Sequence, residues 1–168
     1  MSSQLLSILL LASLLSLAVA HNHPKPKDKI RVMVEGIVYC QSCSQSGWSL
    51  TGAKGLPSAK VSITCRDHKN RPANYNVGTT DGNGYFLTTV DVTDIKDFYK
   101  HDPEQACSVR LLASPDVNCN LFTNINNGLS GASIRDEGKR VYGPTYDTVL
   151  YAAGPLAFRP AYCVPSHY

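Results

Sequence analysis

Glu35-Gly36-Ile37-Val38-Tyr39-Cys40-Gln41-Ser42-Cys43 carries an alternating apolar run straight into two cysteines three positions apart. Reading outward from it, Ile30, Val32, Val34, Gly36, Val38 and Cys40 share one face of an extended chain, with Arg31, Glu35 and Tyr39 on the other. That period of two predicts a half-buried strand. It returns where Ala59, Val61, Ile63 and Cys65 alternate with Lys60, Ser62, Thr64 and Arg66, and again at Cys107, Val109, Leu111 and Ala113. In all three runs the cysteine keeps phase with the apolar residues, so Cys40, Cys65 and Cys107 are expected to point into the core. Buried sulfurs imply structural disulfides.

The rest of the chain is punctuated by turns. Thr79-Thr80-Asp81-Gly82-Asn83-Gly84-Tyr85-Phe86-Leu87 predicts a β-hairpin, with Asp-Gly and Asn-Gly supplying positive φ. Asp91 to Gln105 is expected to hold one helical turn or a loop. Pro115 to Gly131, rich in Asn and Gly, reads as a long crossing loop pinned by Cys119, and Val141 to Tyr151 as a final strand or two. There is no internal repeat and no long amphipathic helix. Together these features predict an all-β fold, a small sandwich or barrel of about seven strands, mostly antiparallel, with three disulfides.

Residues 1–20, MSSQLLSILLLASLLSLAVA, form an apolar run ending in Ala18-Val19-Ala20, the small-x-small pattern of a signal-peptidase site. Cleavage after Ala20 would leave residues 21–29, HNHPKPKDK, as a short extended arm, and residues 30–168 as one domain. All six cysteines then lie in the exported part, an even number that favours three bridges in an oxidising compartment; six cysteines allow 15 pairings. The net charge of +3 suits contact with acidic polysaccharide but falls short of the basic density of a nucleic-acid binder, and no later segment would cross a membrane. No N-glycosylation sequon is present.

Gly36 to Cys43, Leu56-Pro57-Ser58-Ala59-Lys60-Val61 leading into Cys65, and Thr80 to Phe86 together resemble the olive pollen major allergen and extensin family. The likeness is greatest to the cysteine-containing C-terminal domain of arabinogalactan and pistil extensin-like proteins, and it runs from about Ile30 to Cys163. The resemblance implies the pairings Cys40 with Cys119, Cys43 with Cys163, and Cys65 with Cys107; phase alone also favours the last. It further implies a barrel or sandwich of roughly seven strands. The long Pro/His-rich region of that family corresponds here to the short His21–Lys29 stretch.

Several motifs invite sharper readings. Cys40-x-x-Cys43 lacks the βαβ context of a redox site and the second close pair of a zinc site. Asp81-Gly82-Asn83-Gly84 lacks the later ligands of a calcium loop and reads as a turn. No Ser, His and acidic set stands in a catalytic context. Neither a catalytic residue, a resident metal nor a cofactor is therefore expected. A chain beginning His21-Asn22-His23 would offer Cu(II) or Ni(II) its terminal amine, two amides and an imidazole, the alternative being a solvated arm. A copper oxidase of polysaccharides would also begin with a histidine, but would need a second one, and neither His68 nor His101 is placed for it by pattern. Trp48, between Gly47 and Gly52, is the candidate platform for stacking a sugar, or else the cover of the bridge at Cys43. Tyr142 would serve for oxidative cross-linking or pack at a strand edge.

The expected function is that of a secreted, non-enzymatic protein of the plant cell wall or extracellular matrix. Its partners would be wall polysaccharides, pectin or galactan, met by Trp48 and by His21, His23, Lys25, Lys27 and Lys29. The alternative is a secreted signalling protein that recognises a protein partner through loops such as 118–131.

Overall fold

The structure, a computed structural model, describes residues 29–45 and 47–163. The leader and His21, His23, Lys25 and Lys27 lie outside the described residues.

The fold is all-β, with ten strands in one mixed sheet. They are β1 (Lys29–Cys40), β2 (Lys54–Gly55), β3 (Lys60–Arg66), β4 (Pro72–Thr79), β5 (Tyr85–Asp94), β6 (Cys107–Ala113), β7 (Leu121–Phe122), β8 (Ala132–Tyr142), β9 (Asp147–Ala153) and β10 (Leu156–Arg159). One helical turn, α1 (Pro103–Ala106), precedes β6. The count exceeds the expected seven because β2 and β7 are two-residue ladders and β10 only four residues, too short to show a period.

The strands run in the order β4-β3-β6-β8-β9-β1-β10-β7, with β5 and β2 also paired to β1. β1 is parallel to β9 and β10, and every other ladder among the described residues is antiparallel. β1 is the spine. Its first part lies between β5 and β9, and its last two residues between β2 and β10. Alternation along it is as read from the sequence: Ile30, Val32, Val34 and Val38 are buried beside Phe86, Ile134 and Leu156.

Three expectations need correction. The turn after β4 does not close a hairpin, because β4 pairs with β3 and β5 pairs with β1. The chain instead arches from one part of the sheet to the other, and β4 meets β5 through side chains, as where Asn76 Nδ2 donates to Val90 O at 3.1 Å. Of the two turn glycines only Gly84 has positive φ, at 81°. Next, 91–105 begins as strand, since β5 extends to Asp94, and only then becomes two 3-10 turns and α1. Finally β8 begins at Ala132, nine residues before the strand read from the sequence. Only Ala132 and Ile134 along it are buried, so most of its length has no apolar phase to read.

Disulfides join Cys40 to Cys119, Cys43 to Cys163 and Cys65 to Cys107, with Cα separations of 6.0, 5.4 and 4.0 Å. Cys65 and Cys107 stand directly opposite in the β3–β6 ladder. No helix among the described residues is long and apolar enough to cross a membrane.

Candidate functional site

Three stretches far apart in sequence tie into one knot at the end of β1. Val38 N donates to Gly84 O and Leu56 N to Val38 O, both at 2.8 Å. The buried Thr80 hydroxyl donates to Leu56 O at 2.6 Å and accepts from Ala59 N at 2.8 Å. Asp81 Oδ1 accepts from the amides of Asn83 and Tyr85, closing the arch. Gly84 sits where backbone crosses backbone: a Cβ there would lie 2.4 Å from Val38 O. The knot holds β2 against Tyr39 and Cys40, and so fixes both ends of the loop 41–53.

That loop carries Trp48, which is 67% exposed. Trp48 therefore does not bury itself over the Cys43 bridge. Gln41 organises the loop from beneath. It is only 5% exposed, its backbone N–H donates to Phe158 O of β10, and its side-chain amide donates to Gly47 O at 3.2 Å and Ser49 O at 2.8 Å. One buried amide thus grips the carbonyls on either side of the tryptophan. Ser49 Oγ adds a bond to Gln45 Oε1 at 2.7 Å. Sequence reasoning missed Gln41; its signal was an amide enclosed by two bridged cysteines, where a polar side chain needs an internal partner.

Further apolar surface gathers at this end. The Cys40–Cys119 bridge draws in β7, which pairs with β10 and exposes Leu121 and Phe122, the Phe122 ring lying 5.1 Å from that of Phe158. The Cys43–Cys163 bridge carries Tyr162, 92% exposed. Residues 41–53 contain no charged side chain. The result is a loop without charged side chains that presents an exposed indole among serine and threonine hydroxyls, with Lys54 and Arg159 exposed on the strands beside it.

Lys29 stands apart from it. It is exposed at the start of β1, opposite Asp94, so the length of the strand puts it about 36 Å from Cys40. The structure does not bring Lys29 and Trp48 into one site. Near the Lys29 end a cleft of about 270 Å³ is lined by Asp67, His68, Asp91, Asp97 and a floor of Phe98. Asp67 is bound by Arg71 at 2.6 Å, Asp97 by Thr93 Oγ1 at 2.8 Å, and no group of three or more His, Cys, Asp or Glu among the described residues is arranged to hold a metal. His101 belongs elsewhere, its Nδ1 2.9 Å from Lys96 O.

On the outer face of β1, Glu35 receives Lys139 Nζ and Tyr85 Oη, each at 2.6 Å. Burial alone would raise the Glu35 carboxyl, but the hydrogen bonds from Lys139 and Tyr85 outweigh it and hold it below its usual value. Burial, helped by the bond to Glu35, pushes the Tyr85 phenol up to about 12. Beside this network Arg31 binds Tyr146 through its hydroxyl and ring. Tyr142 is 76% exposed at the end of β8.

No protein-family model matches the chain. It is similar to non-classical arabinogalactan protein 30 of Arabidopsis thaliana, 31% identical over 142 residues that cover 79% of this chain and 54% of that protein. It is 32% identical over 148 residues to the pistil-specific extensin-like protein of Nicotiana tabacum, covering 79% of this chain and 31% of the other. Pollen allergen Phl p 11 of Phleum pratense is 25% identical, with 75% and 78% covered. The chain thus spans from about a third to about half the length of the first two relatives. Among solved structures, the major plantain pollen allergen Pla l 1 superposes with a TM-score of 0.58 at 18% identity, covering 82% of this chain and 99% of the other.

Proposed function

This chain belongs to the pollen-allergen and extensin-like family, and from that premise we infer that it is a secreted, non-enzymatic protein of the plant cell wall that binds neutral wall polysaccharide, galactan being the first candidate. The observation that carries the reading is Trp48: a large indole plane left in solvent on a loop whose carbonyls on either side of it are bound by the buried amide of Gln41. Keeping such a residue exposed forfeits the roughly 1.5–3 kcal/mol that burying a large apolar side chain returns. Its fixed presentation supports a role in stacking on a sugar face. Rigid anchoring through Gln41 and two bridges lowers the ordering cost of binding. The absence of charged side chains from residues 41–53 supports a neutral chain over an acidic one against the indole itself.

The test is retention on galactan and on a wall-glycan array, comparing the oxidised protein with Trp48→Ala. Retention of the parent and loss of about tenfold in the variant is the expected result, tenfold corresponding to about 1.4 kcal/mol, the upper end of what an aromatic stacking contact contributes. Retention unchanged by the substitution would overturn the assignment. Binding to a protein ligand with silence on glycans would favour recognition through the 118–131 loop instead.

A further inference from the structure

We propose that the outer face of β4, β3, β6 and β8 is a second binding surface, one that takes a polyuronate chain. It rests on the wall-polysaccharide reading but uses none of the Trp48 residues.

Pairing registers align one outward row across four strands: Tyr75 of β4 opposite Thr64 of β3, Thr64 opposite Ser108 of β6, and Ser108 opposite Ser133 of β8. Strands sit about 4.8 Å apart, so the row presents a hydroxyl at regular intervals over about 14 Å. Tyr75 is 60% exposed at one end of it. The cations flank this row. Arg110 lies opposite Ser62, Lys60 starts β3, and Arg135 follows Ser133 by two residues on the same face. All three are exposed, and among the described residues none of their side chains is engaged in a hydrogen bond or ion pair.

Charge decides the ligand class. β3, β4, β6 and residues 132–135 of β8 contain no Asp or Glu. The first carboxylate after β3, Asp67, is held by Arg71, and those later in β8, Asp136 and Glu137, are held by Arg140 and Lys139. Arg71, Lys139 and Arg140, outside this face, have carboxylate partners, whereas Lys60, Arg110 and Arg135 have none among the described residues. A row of hydroxyls at strand spacing with an aromatic plane and unpaired cations is complementary to a repeating chain that carries both hydroxyls and carboxylates. An acidic polysaccharide meets both conditions. A neutral one leaves Arg110, Lys60 and Arg135 unused.

The experiment is titration of the full oxidised protein with polygalacturonate oligomers at rising salt. It is run beside Lys60→Ser/Arg110→Ser/Arg135→Ser, Tyr75→Ala, Lys25→Ser/Lys27→Ser and Trp48→Ala, each with its melting temperature measured. The expected result is salt-sensitive binding, weakened at least about tenfold in the triple variant with a shallower salt dependence. Tyr75→Ala should weaken it too, whereas Trp48→Ala should leave it unchanged while abolishing galactan retention. Absence of polygalacturonate binding would overturn the proposal, as would full affinity in the triple variant, loss confined to the Lys25/Lys27 variant, or equal binding to anionic vesicles. Failure of galactan binding alone would strike only the Trp48 reading.

Discussion

Gln41 shows how one polar side chain can define a surface. Its amide satisfies the carbonyls of Gly47 and Ser49 from a buried position, so truncation strands two acceptors and frees the tryptophan loop. Gln41→Ala should lower stability by about 1–3 kcal/mol, the usual cost of leaving buried polar groups unpaired. Because Trp48 is the sole tryptophan, its fluorescence anisotropy reports this loop alone and should fall in the variant. Tyrosine titration offers a second test at this scale. Burial, then the charge of Asp136, raises Tyr151 to about 12, as burial and Glu35 do for Tyr85. The folded state therefore keeps two phenolic protons that the unfolded chain releases near pH 10. Stability from these groups is complete below about pH 10 and declines as pH rises towards 12. Ultraviolet titration of the folded protein should show two tyrosines ionising late, and Glu35→Gln should bring Tyr85 down. At the acid end the sign reverses. The hydrogen bond from Arg71 holds Asp67 at about 2, so its contribution persists above the ordinary carboxylate range and disappears as pH falls towards 2.

At the scale of elements, the arch between β4 and β5 governs the candidate site although no strand pairing joins those two. Thr80, Asp81 and Gly84 bind it to β1 and to the segment before β3, which is why three distant motifs act as one. Gly84→Ala places a methyl group against Val38 O and forces a side chain to positive φ. Neither can relax without parting β1 from β2. The variant should lose at least about 2 kcal/mol in chemical denaturation, more than a surface substitution costs. Galactan retention should fall with it, because the ends of the 41–53 loop are anchored there.

For the molecule as a whole, three bridges divide by accessibility. Cys65, Cys107 and Cys119 are buried, whereas Cys43 and Cys163 are both exposed. Graded reduction by a small thiol should therefore open Cys43–Cys163 first and Cys65–Cys107 last, as mass mapping after alkylation would show. Deleting the bridge that closes the 42-residue span from Cys65 to Cys107 should cost about 4 kcal/mol in the loop-entropy picture. A double substitution to Ala checks it by urea denaturation. Early loss of Cys65–Cys107 would contradict the burial of its sulfurs.

Side-chain period alone determined that this is a β protein, because a half-buried strand writes its two faces directly into the order of residues. For β1 as far as Val38, β3 and β6 as far as Leu111, the buried apolar faces were legible; Cys40 is only half-buried and Ala113 exposed at their strand ends, and Ser62, read as facing out, is buried as well. Trp48 was legible as a candidate because its loop is bounded by glycines. Tertiary structure decided the remainder. Whether Asp81 to Gly84 makes a hairpin or an arch depends on which strands receive β4 and β5, and turn chemistry is the same in both. The first nine residues of β8 escaped notice because beyond Ile134 the strand is exposed on both faces and has no period, being held by its neighbour's backbone. The row of hydroxyls and cations across β4, β3, β6 and the start of β8 was invisible because it is assembled from residues tens of positions apart that only strand register brings together, and Gln41 because only the folded loop shows which carbonyls its buried amide meets.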